Sequence, residues 1–214
     1  ANAYLGGKCW AAYLALSWIF EHLQDLGRSA ECKAAALRCS QTLADAYSEA
    51  DGFMPAVLDG ENRSAIIPAG EALIYPWAMG LNEAVEESGP YGRYIGNLKK
   101  HLAYVLNERV CLYPDGGWKL SSSVDNSWMS KICLNQFVVR EILGLTYGGE
   151  EQADAAHVEW EVEGSKFHAC SDQFSAAKPI GSLYYPRIVT SILGMDEHST
   201  NCSADQQQEE TVKI

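Results

Sequence analysis

Apolar side chains recur at intervals of three and four residues through most of this chain, and the recurrence is under way from its first residues. The earliest series consists of Tyr4, Cys9, Tyr13, Leu16, Phe20 and Leu23. This spacing places apolar residues along one side of an α-helix, whereas a half-buried β-strand needs strict alternation. The pattern therefore predicts an all-α protein, with room for short strands only in the loops near Phe53 and Leu120.

Glycine, proline and capping residues divide the pattern into about six helices. Gly27 is expected to end the first helix and Ser29 to cap the second, while Pro76 bends the third. The predicted helices cover residues 3–26, 29–47, about 67–87, from about 91, 126–143 and 188–193. The acidic stretch 150–163 is interpreted as either a solvated helix or a frayed linker.

Short joints alternate with long, residue-rich joints along this series of helices. In a toroid of antiparallel helical hairpins, short turns gather at one end, and long connections gather at the other end around a cleft. The long loops are therefore expected to form the end of the molecule that carries the site.

The charge balance argues against two classes of partner. The chain has a formal net charge of −12 at neutral pH, and its longest basic run is Lys99-Lys100, so binding to nucleic acid is not expected. No apolar stretch approaches the roughly 20 residues that a membrane span requires.

Seven cysteines at irregular spacings include no CxxC pair. This pattern favours buried, unpaired thiols, which persist in a reducing compartment and predict a cytoplasmic protein. Neither nucleotide-binding glycine motifs nor the common hydrolase motifs are present. The five histidines lack ligand spacing, so no metal and no cofactor is expected.

The remaining candidates are loops that combine aromatic rings with carboxylate, amide and guanidinium groups, which suit sugars. Indole faces pack against sugar C–H groups, while polar side chains exchange hydrogen bonds with hydroxyls. The predicted substrate-binding residues are Asp125, Asn126, Trp128, Trp118, Glu61 and Arg63.

Each candidate also has a purely structural interpretation. Asp125 or Asn126 could be the N-cap of the fifth helix, and Trp128 could be a core residue. Glu61 and Arg63 could form a surface ion pair. Trp118, flanked by glycine, is expected to be exposed by its loop.

Glu71 lies within an apolar predicted helix. A carboxylate is costly to bury without a partner, so Glu71 is expected either to face solvent or to bond a group in the cleft.

Four separated segments resemble the C-terminal part of glycoside hydrolase family 52, the β-xylosidases. They are KCWAAY at 8–13, SAIIP at 64–68 followed by YP at 75–76, DNSWMSK at 125–131 and SLYYPRIV at 182–189. The resemblance implies an N-terminal β-sandwich followed by an (α/α)6 barrel, and retaining hydrolysis of xylosides. Residues 1–195 would then be the C-terminal portion, about half, of that barrel, and residues 196–214 a polar, disordered tail.

A retaining glycosidase needs a carboxylate nucleophile and a carboxylic acid about 5–5.5 Å apart. In the family, the nucleophilic Glu lies far upstream and the acid Asp shortly before the segment matched by residues 4–13. No residue of this chain is therefore assigned a catalytic role. The implied partners are a carbohydrate and the missing N-terminal part of the enzyme, with a homo-oligomer left open.

Three different functions are compatible with the sequence. The first is a portion of a xylo-oligosaccharide hydrolase that is inactive alone. The second is a non-catalytic helical module for carbohydrate binding or for interaction. The third is a small helical enzyme that uses Asp125 and Glu61 as its acid and base.

Overall fold

The computed structural model describes residues 1–165 and 172–181. This part of the chain is mostly helical, with a small three-stranded sheet. The α-helices are α1 (Ala3–His22), α2 (Leu26–Asp45), α3 (Ile74–Ala78), α4 (Gly92–Val105), α5 (Met129–Phe137) and α6 (Glu150–Ser165). The strands are β1 (Asn126–Trp128), β2 (Gln173–Ser175) and β3 (Lys178–Gly181). No helix in this part of the chain has the length and apolar character to cross a membrane.

Helices α1 and α2 form a closely packed antiparallel hairpin. A Cβ at Gly6, near the start of α1, would lie 3.0 Å from Leu43 Cδ2, near the end of α2. The buried side of α1 consists of Ala3, Gly7, Trp10, Ala11, Leu14 and Ser17. The expected apolar side of α1 is thus wrong, because the buried side combines small residues with Trp10 and Leu14, which the expected series omits.

The turn between these helices also differs from its prediction. Helix α1 ends at His22 and is followed by Gln24 in the left-handed region, at φ 60°. Asp25, not Ser29, caps α2 by accepting a hydrogen bond from the Arg28 amide at 3.1 Å. Gly27 therefore lies inside α2.

A 3₁₀ segment at Ile67–Leu73 runs through the centre of the core. It contacts α1, α4 and α5, and six of its seven residues are buried. It continues into α3, which stops before Gly80 at φ +73°. The single predicted helix over residues 67–87 is therefore three short helical pieces, since a 3₁₀ piece at Asn82–Ala84 follows.

Helix α4 matches its prediction. Five apolar residues at helical spacing are all buried: Ile95, Leu98, Leu102, Val105 and Leu106. Their side packs against α2 and the 3₁₀ segment.

The predicted fifth helix begins as a strand. β1 pairs antiparallel with β2, with Asn126 opposite Ser175 and Trp128 opposite Gln173. Neither Asp125 nor Asn126 is an N-cap. Instead Asp172 accepts the Ser130 amide at 2.8 Å in the first turn of α5. The helix then passes into a π-helical turn at Val138–Ile142 before Gly144.

The acidic stretch is a helix, α6, with one buried side made of Ala153, Ala156, His157 and Trp160. This side packs near the loop that carries Gly117. A Cβ at Gly117 would lie 2.1 Å from the Trp160 ring, so the close approach requires glycine.

The predicted helix at 188–193 and the predicted tail at 196–214 lie outside the described residues. Five cysteines are described, and none of these five forms a disulfide. Of these Cys111 alone is fully buried, so the expectation of mostly buried thiols is wrong for this part of the chain.

Candidate functional site

Glu71 lies at the centre of a polar cluster that joins four separate segments. Its side chain is 2% exposed, and it stands in the buried 3₁₀ segment. Its partners are Tyr4 and Lys8 from α1 and Lys131 from α5, and Tyr75 from α3 completes the group through Lys8. We call these five residues the Glu71 cluster.

Both lysines donate to the same carboxylate. Lys8 Nζ lies 2.6 Å from Glu71 Oε1. Lys131 Nζ lies 2.6 Å from Oε1 and 2.7 Å from Oε2. Since each bond joins opposite charges at short distance, the two ammonium groups compensate the cost of burying the carboxylate.

The two tyrosines complete the hydrogen bonding and provide aromatic surface. Tyr4 Oη donates to Glu71 at 3.2 Å and accepts from Lys131 at 2.8 Å. Tyr75 Oη accepts from Lys8 at 2.5 Å. The Lys8 ammonium also lies 4.3 Å from the centre of the Tyr75 ring, a cation–π distance.

The cluster carries one net positive charge. Partial burial acts to lower the pKa of Lys8, but the bonds to Glu71 and Tyr75 and the charge of Glu71 act in the opposite direction, and the pKa lies above its ordinary value. Lys8 is therefore an ammonium at neutral pH. By formal charge, the cluster therefore holds two lysines and one carboxylate.

The fold explains why these residues meet. Tyr4 and Lys8 are one turn apart, so they share a side of α1. Glu71 and Tyr75 leave the 3₁₀ segment and α3 four residues apart. Lys131 stands in the first turn of α5, which packs on the same 3₁₀ segment. The group is partly open, with Lys8 22% and Lys131 27% exposed.

Sequence reasoning identified Glu71 as a residue in need of a partner but missed its partners. Glu71 was expected either to face solvent or to bond a group in the cleft. It is buried and bonds Lys8 and Lys131. The signal for Lys8 and Lys131 was present, because both lie within segments that carry the family resemblance.

Three of the predicted substrate-binding residues stand together just before α5. Asp125 and Asn126 are exposed. The backbone oxygen of Asp125 accepts hydrogen bonds from Tyr113 Oη and from the Ala176 amide, both at 3.0 Å. Trp128 is half-buried and packs against the core. Asn126 and Trp128 share one side of β1, since Ser127 between them is buried.

Trp118 is not exposed, so this expectation is wrong. Its side chain is 0% exposed. The indole Nε1 donates to Tyr147 Oη at 3.1 Å, and the backbone amide donates to His157 Nε2 at 3.0 Å. A ring with no exposed face offers no stacking surface to a sugar in this conformation.

Glu61 and Arg63 do not pair with each other. Arg63 instead forms an ion pair with Asp51, and its guanidinium lies 6.0 Å from the centre of the Phe53 ring. Glu61 is exposed. The loop that carries Glu61 and Arg63 continues to Ile66, which forms an isolated antiparallel β-bridge with Ser121. The chain then continues from Ser121 to β1.

Two buried histidines, His101 and His157, form hydrogen bonds to backbone atoms and have a structural role. His101 accepts the Met54 amide through Nδ1 at 3.1 Å and bonds the Ile66 carbonyl through Nε2 at 2.8 Å. Burial lowers the pKa of His101 to about 4, although the bond to the Ile66 carbonyl acts to raise it. Within residues 1–165 and 172–181, no three His, Cys, Asp or Glu side chains are grouped as metal ligands would be.

No family model matches the chain. The chain is similar to a protein named beta-xylosidase from Geobacillus stearothermophilus, with 46% identity over 198 residues. The similarity covers 92% of this chain and 28% of that protein. The chain thus spans just over a quarter of the length of the curated relative that it matches.

Proposed function

We propose that this chain is part of a retaining β-xylosidase of glycoside hydrolase family 52, and that it contributes to the surface that binds xylosides. The observation that carries the proposal is the 46% identity to a protein named beta-xylosidase over 198 residues. Such identity, maintained over 92% of the chain, supports a shared fold for the matched region and a shared role within the enzyme.

In this proposal, the chain supplies the C-terminal portion of an (α/α)6 barrel. The α1–α2 hairpin and the central 3₁₀ segment support it, because they leave large apolar side chains exposed on the outer side of α1. Leu16 is 41% exposed and Ile19 is 43% exposed. Further helices of a closed barrel would cover such a surface. The predicted cytoplasmic location is retained here as part of the same proposal.

The bond-breaking carboxyl groups belong to another part of the enzyme, and this chain binds and orients the sugar. The Glu71 cluster provides ammonium and phenol donors next to aromatic rings, which is the combination that sugar hydroxyls and C–H faces require. In this proposal, Asp125, Asn126 and Trp128 add further polar and aromatic groups at β1, directly before the helix that carries Lys131. Glu61 and Arg63 are peripheral members, and Trp118 supports the loop from within the core.

A hybrid enzyme tests this proposal. The 198 matched residues of the Geobacillus beta-xylosidase are replaced by those of this chain, and hydrolysis of an aryl β-xyloside is measured. We expect a folded hybrid that turns over the substrate, whereas the isolated chain does not. The matched control is the unaltered relative, prepared in parallel.

Two results would contradict the proposal. One is a folded hybrid without activity when the unaltered relative is active. The other is turnover by the isolated chain that Asp125→Ala or Glu61→Ala abolishes, which would favour a self-contained small enzyme. Xylose binding by the isolated chain with an inactive hybrid would favour a non-catalytic binding module.

A further inference from the structure

We propose that the open edge of the Glu71 cluster, formed by Lys8 and Tyr75, is a binding site for a single carboxylate group. The proposal rests on the charge and hydrogen-bond balance of the cluster. The identity of the natural source of that carboxylate, though not the binding itself, rests on the proposed function.

Among the residues that the structure describes, the two lysines of the cluster share a single carboxylate, which leaves one positive charge without a counter-charge there. Lys8 and Lys131 both pair with Glu71. Within the described parts of the chain, no second carboxylate is ion-paired to either lysine. The chain as a whole has a net charge of −12, yet Glu71 is the only acid of the described residues that is ion-paired to Lys8 or Lys131.

The hydrogen-bond balance shows where an anion would sit. Lys131 directs bonds to both oxygens of Glu71 and to Tyr4, so its three N–H groups are occupied. Within residues 1–165 and 172–181, Lys8 directs bonds to Glu71 and Tyr75 alone, which leaves one N–H for a further acceptor. Tyr75 Oη accepts from Lys8, which leaves its own hydrogen available to donate.

These two remaining donors are adjacent and reach solvent. Lys8 Nζ and Tyr75 Oη are 2.5 Å apart, and the Tyr75 side chain is 44% exposed. A carboxylate has two oxygens that accept such a pair of donors side by side, and ionised acceptors form the stronger bonds. A neutral hydroxyl satisfies the donors but leaves the positive charge unbalanced.

The carboxylate can come from a sugar acid in the substrate or from an acidic side chain in another part of the enzyme. Both sources have the same chemistry at this site. They differ in affinity, because a sugar ring adds contacts with the aromatic faces of Tyr4 and Tyr75, whereas acetate imitates the side chain alone.

The test is an NMR titration of the isolated chain with sodium acetate, sodium glucuronate and xylose, at constant ionic strength set with sodium chloride. We expect both carboxylates to shift the backbone amide signals of Lys8 and Tyr75 in a saturable way. Xylose should require at least tenfold higher concentration for the same shift.

Three variants assign the effect to the site. Lys8→Met removes the unbalanced charge and should weaken glucuronate binding at least tenfold. Tyr75→Phe retains the ring and should weaken it at least threefold. Lys33→Met, which removes an exposed lysine that pairs with Glu21, is the matched control and should change the affinity less than twofold. Dispersed amide spectra show that each variant is folded.

The outcomes separate the two sources and the two proposals. Glucuronate binding at least tenfold tighter than acetate identifies a sugar acid. Equal affinities in the isolated chain, with no acetate binding in the hybrid enzyme, identify an acidic side chain that already fills the site. Absence of carboxylate shifts, or equal binding by Lys8→Met, overturns the carboxylate site whatever the hybrid does. An inactive hybrid with intact carboxylate binding contradicts only the proposed function.

Discussion

The ammonium group of Lys131 bonds both carboxylate oxygens of Glu71, at 2.6 Å and 2.7 Å. This pair connects the first turn of α5 to the buried 3₁₀ segment. We therefore expect the pair to stabilise the packing of these two elements in addition to any role in binding.

Lys131→Met should destabilise the chain by about 1–3 kcal/mol, because it removes two charge-assisted bonds from a buried carboxylate. Urea unfolding followed by circular dichroism measures the change. Lys100→Met is the matched control, since Lys100 forms an exposed pair with Glu49 and should cost at most about 1 kcal/mol. Equal effects of the two substitutions would mean that Glu71 is satisfied without Lys131.

Acid should destabilise the chain through its buried histidines. Burial lowers the pKa of His101 and of His157 from 6.5 to about 4. The unfolded chain therefore binds protons more readily, so stability is complete above pH 6.5 and is lost as pH falls toward 4. The expected slope is about 1.4 kcal/mol per pH unit for each histidine.

Thermal unfolding between pH 4 and pH 8 measures this slope. His101→Gln should be less stable than the parent chain. The pH dependence of its stability should nevertheless be smaller, by about 1.4 kcal/mol per pH unit, which is the contribution of one histidine. A variant whose melting temperature keeps the original pH dependence would show that His101 is not the titrating group.

Glu161 should act in the opposite direction. Burial, followed by the charge of Asp172, raises the pKa of Glu161 from 4.5 to about 7. Its contribution to stability is therefore present below pH 4.5 and is lost as pH rises through 7. Glu161→Gln should increase the melting temperature at pH 8 and leave it unchanged at pH 4. Glu159→Gln, at an exposed position of the same helix, should have no effect at either pH.

The outer side of α1 should promote association of the isolated chain. Leu16, Ile19 and Leu23 are 41%, 43% and 69% exposed, and a contiguous apolar surface of this kind favours self-association. We expect binding of a hydrophobic dye and a concentration-dependent sedimentation coefficient.

Leu16→Glu combined with Ile19→Glu should abolish both effects. Val158→Glu, at a 64% exposed position of α6, should abolish neither. A monomeric parent chain without dye binding would contradict the expectation that other helices cover α1.

Trp118→Ala should impair folding before it impairs binding. Removal of a fully buried aromatic side chain costs about 3–5 kcal/mol, and the bond to Tyr147 is also lost. Urea unfolding and glucuronate titration of the folded fraction separate the two effects. Normal stability with lost sugar binding would restore the interpretation of Trp118 as a stacking surface.

The helices were predictable where large apolar residues form the packed side. Helix α4 is an example, since Ile95, Leu98 and Leu102 mark its core side directly. On α1 the same reasoning selected the exposed side, because the series that starts at Tyr4 omits Trp10 and Leu14, the large apolar residues of the buried side. The small residues on that side, such as Gly7, give little signal in a pattern of apolar spacing.

Long-range pairing accounts for the other differences. Residues 126–128 have a helical pattern, but they form a strand because β2, more than forty residues later, pairs with them. The Glu71 cluster likewise depends on residues from distant parts of the chain. The need of Glu71 for a partner was readable from its apolar surroundings. Lys8 and Lys131 lie in segments that carry the resemblance, but their pairing with Glu71 required the fold.

The cap of α5 has a consequence for synthesis of the protein. Asp172 accepts the amide of Ser130 across 42 residues, so the nascent chain lacks this cap when α5 first leaves the ribosome. At about 5–20 residues per second, the delay is roughly 2–8 s. During that interval the Ser130 amide lacks its native acceptor, and a stall before Asp172 would leave the first turn of α5 without this bond.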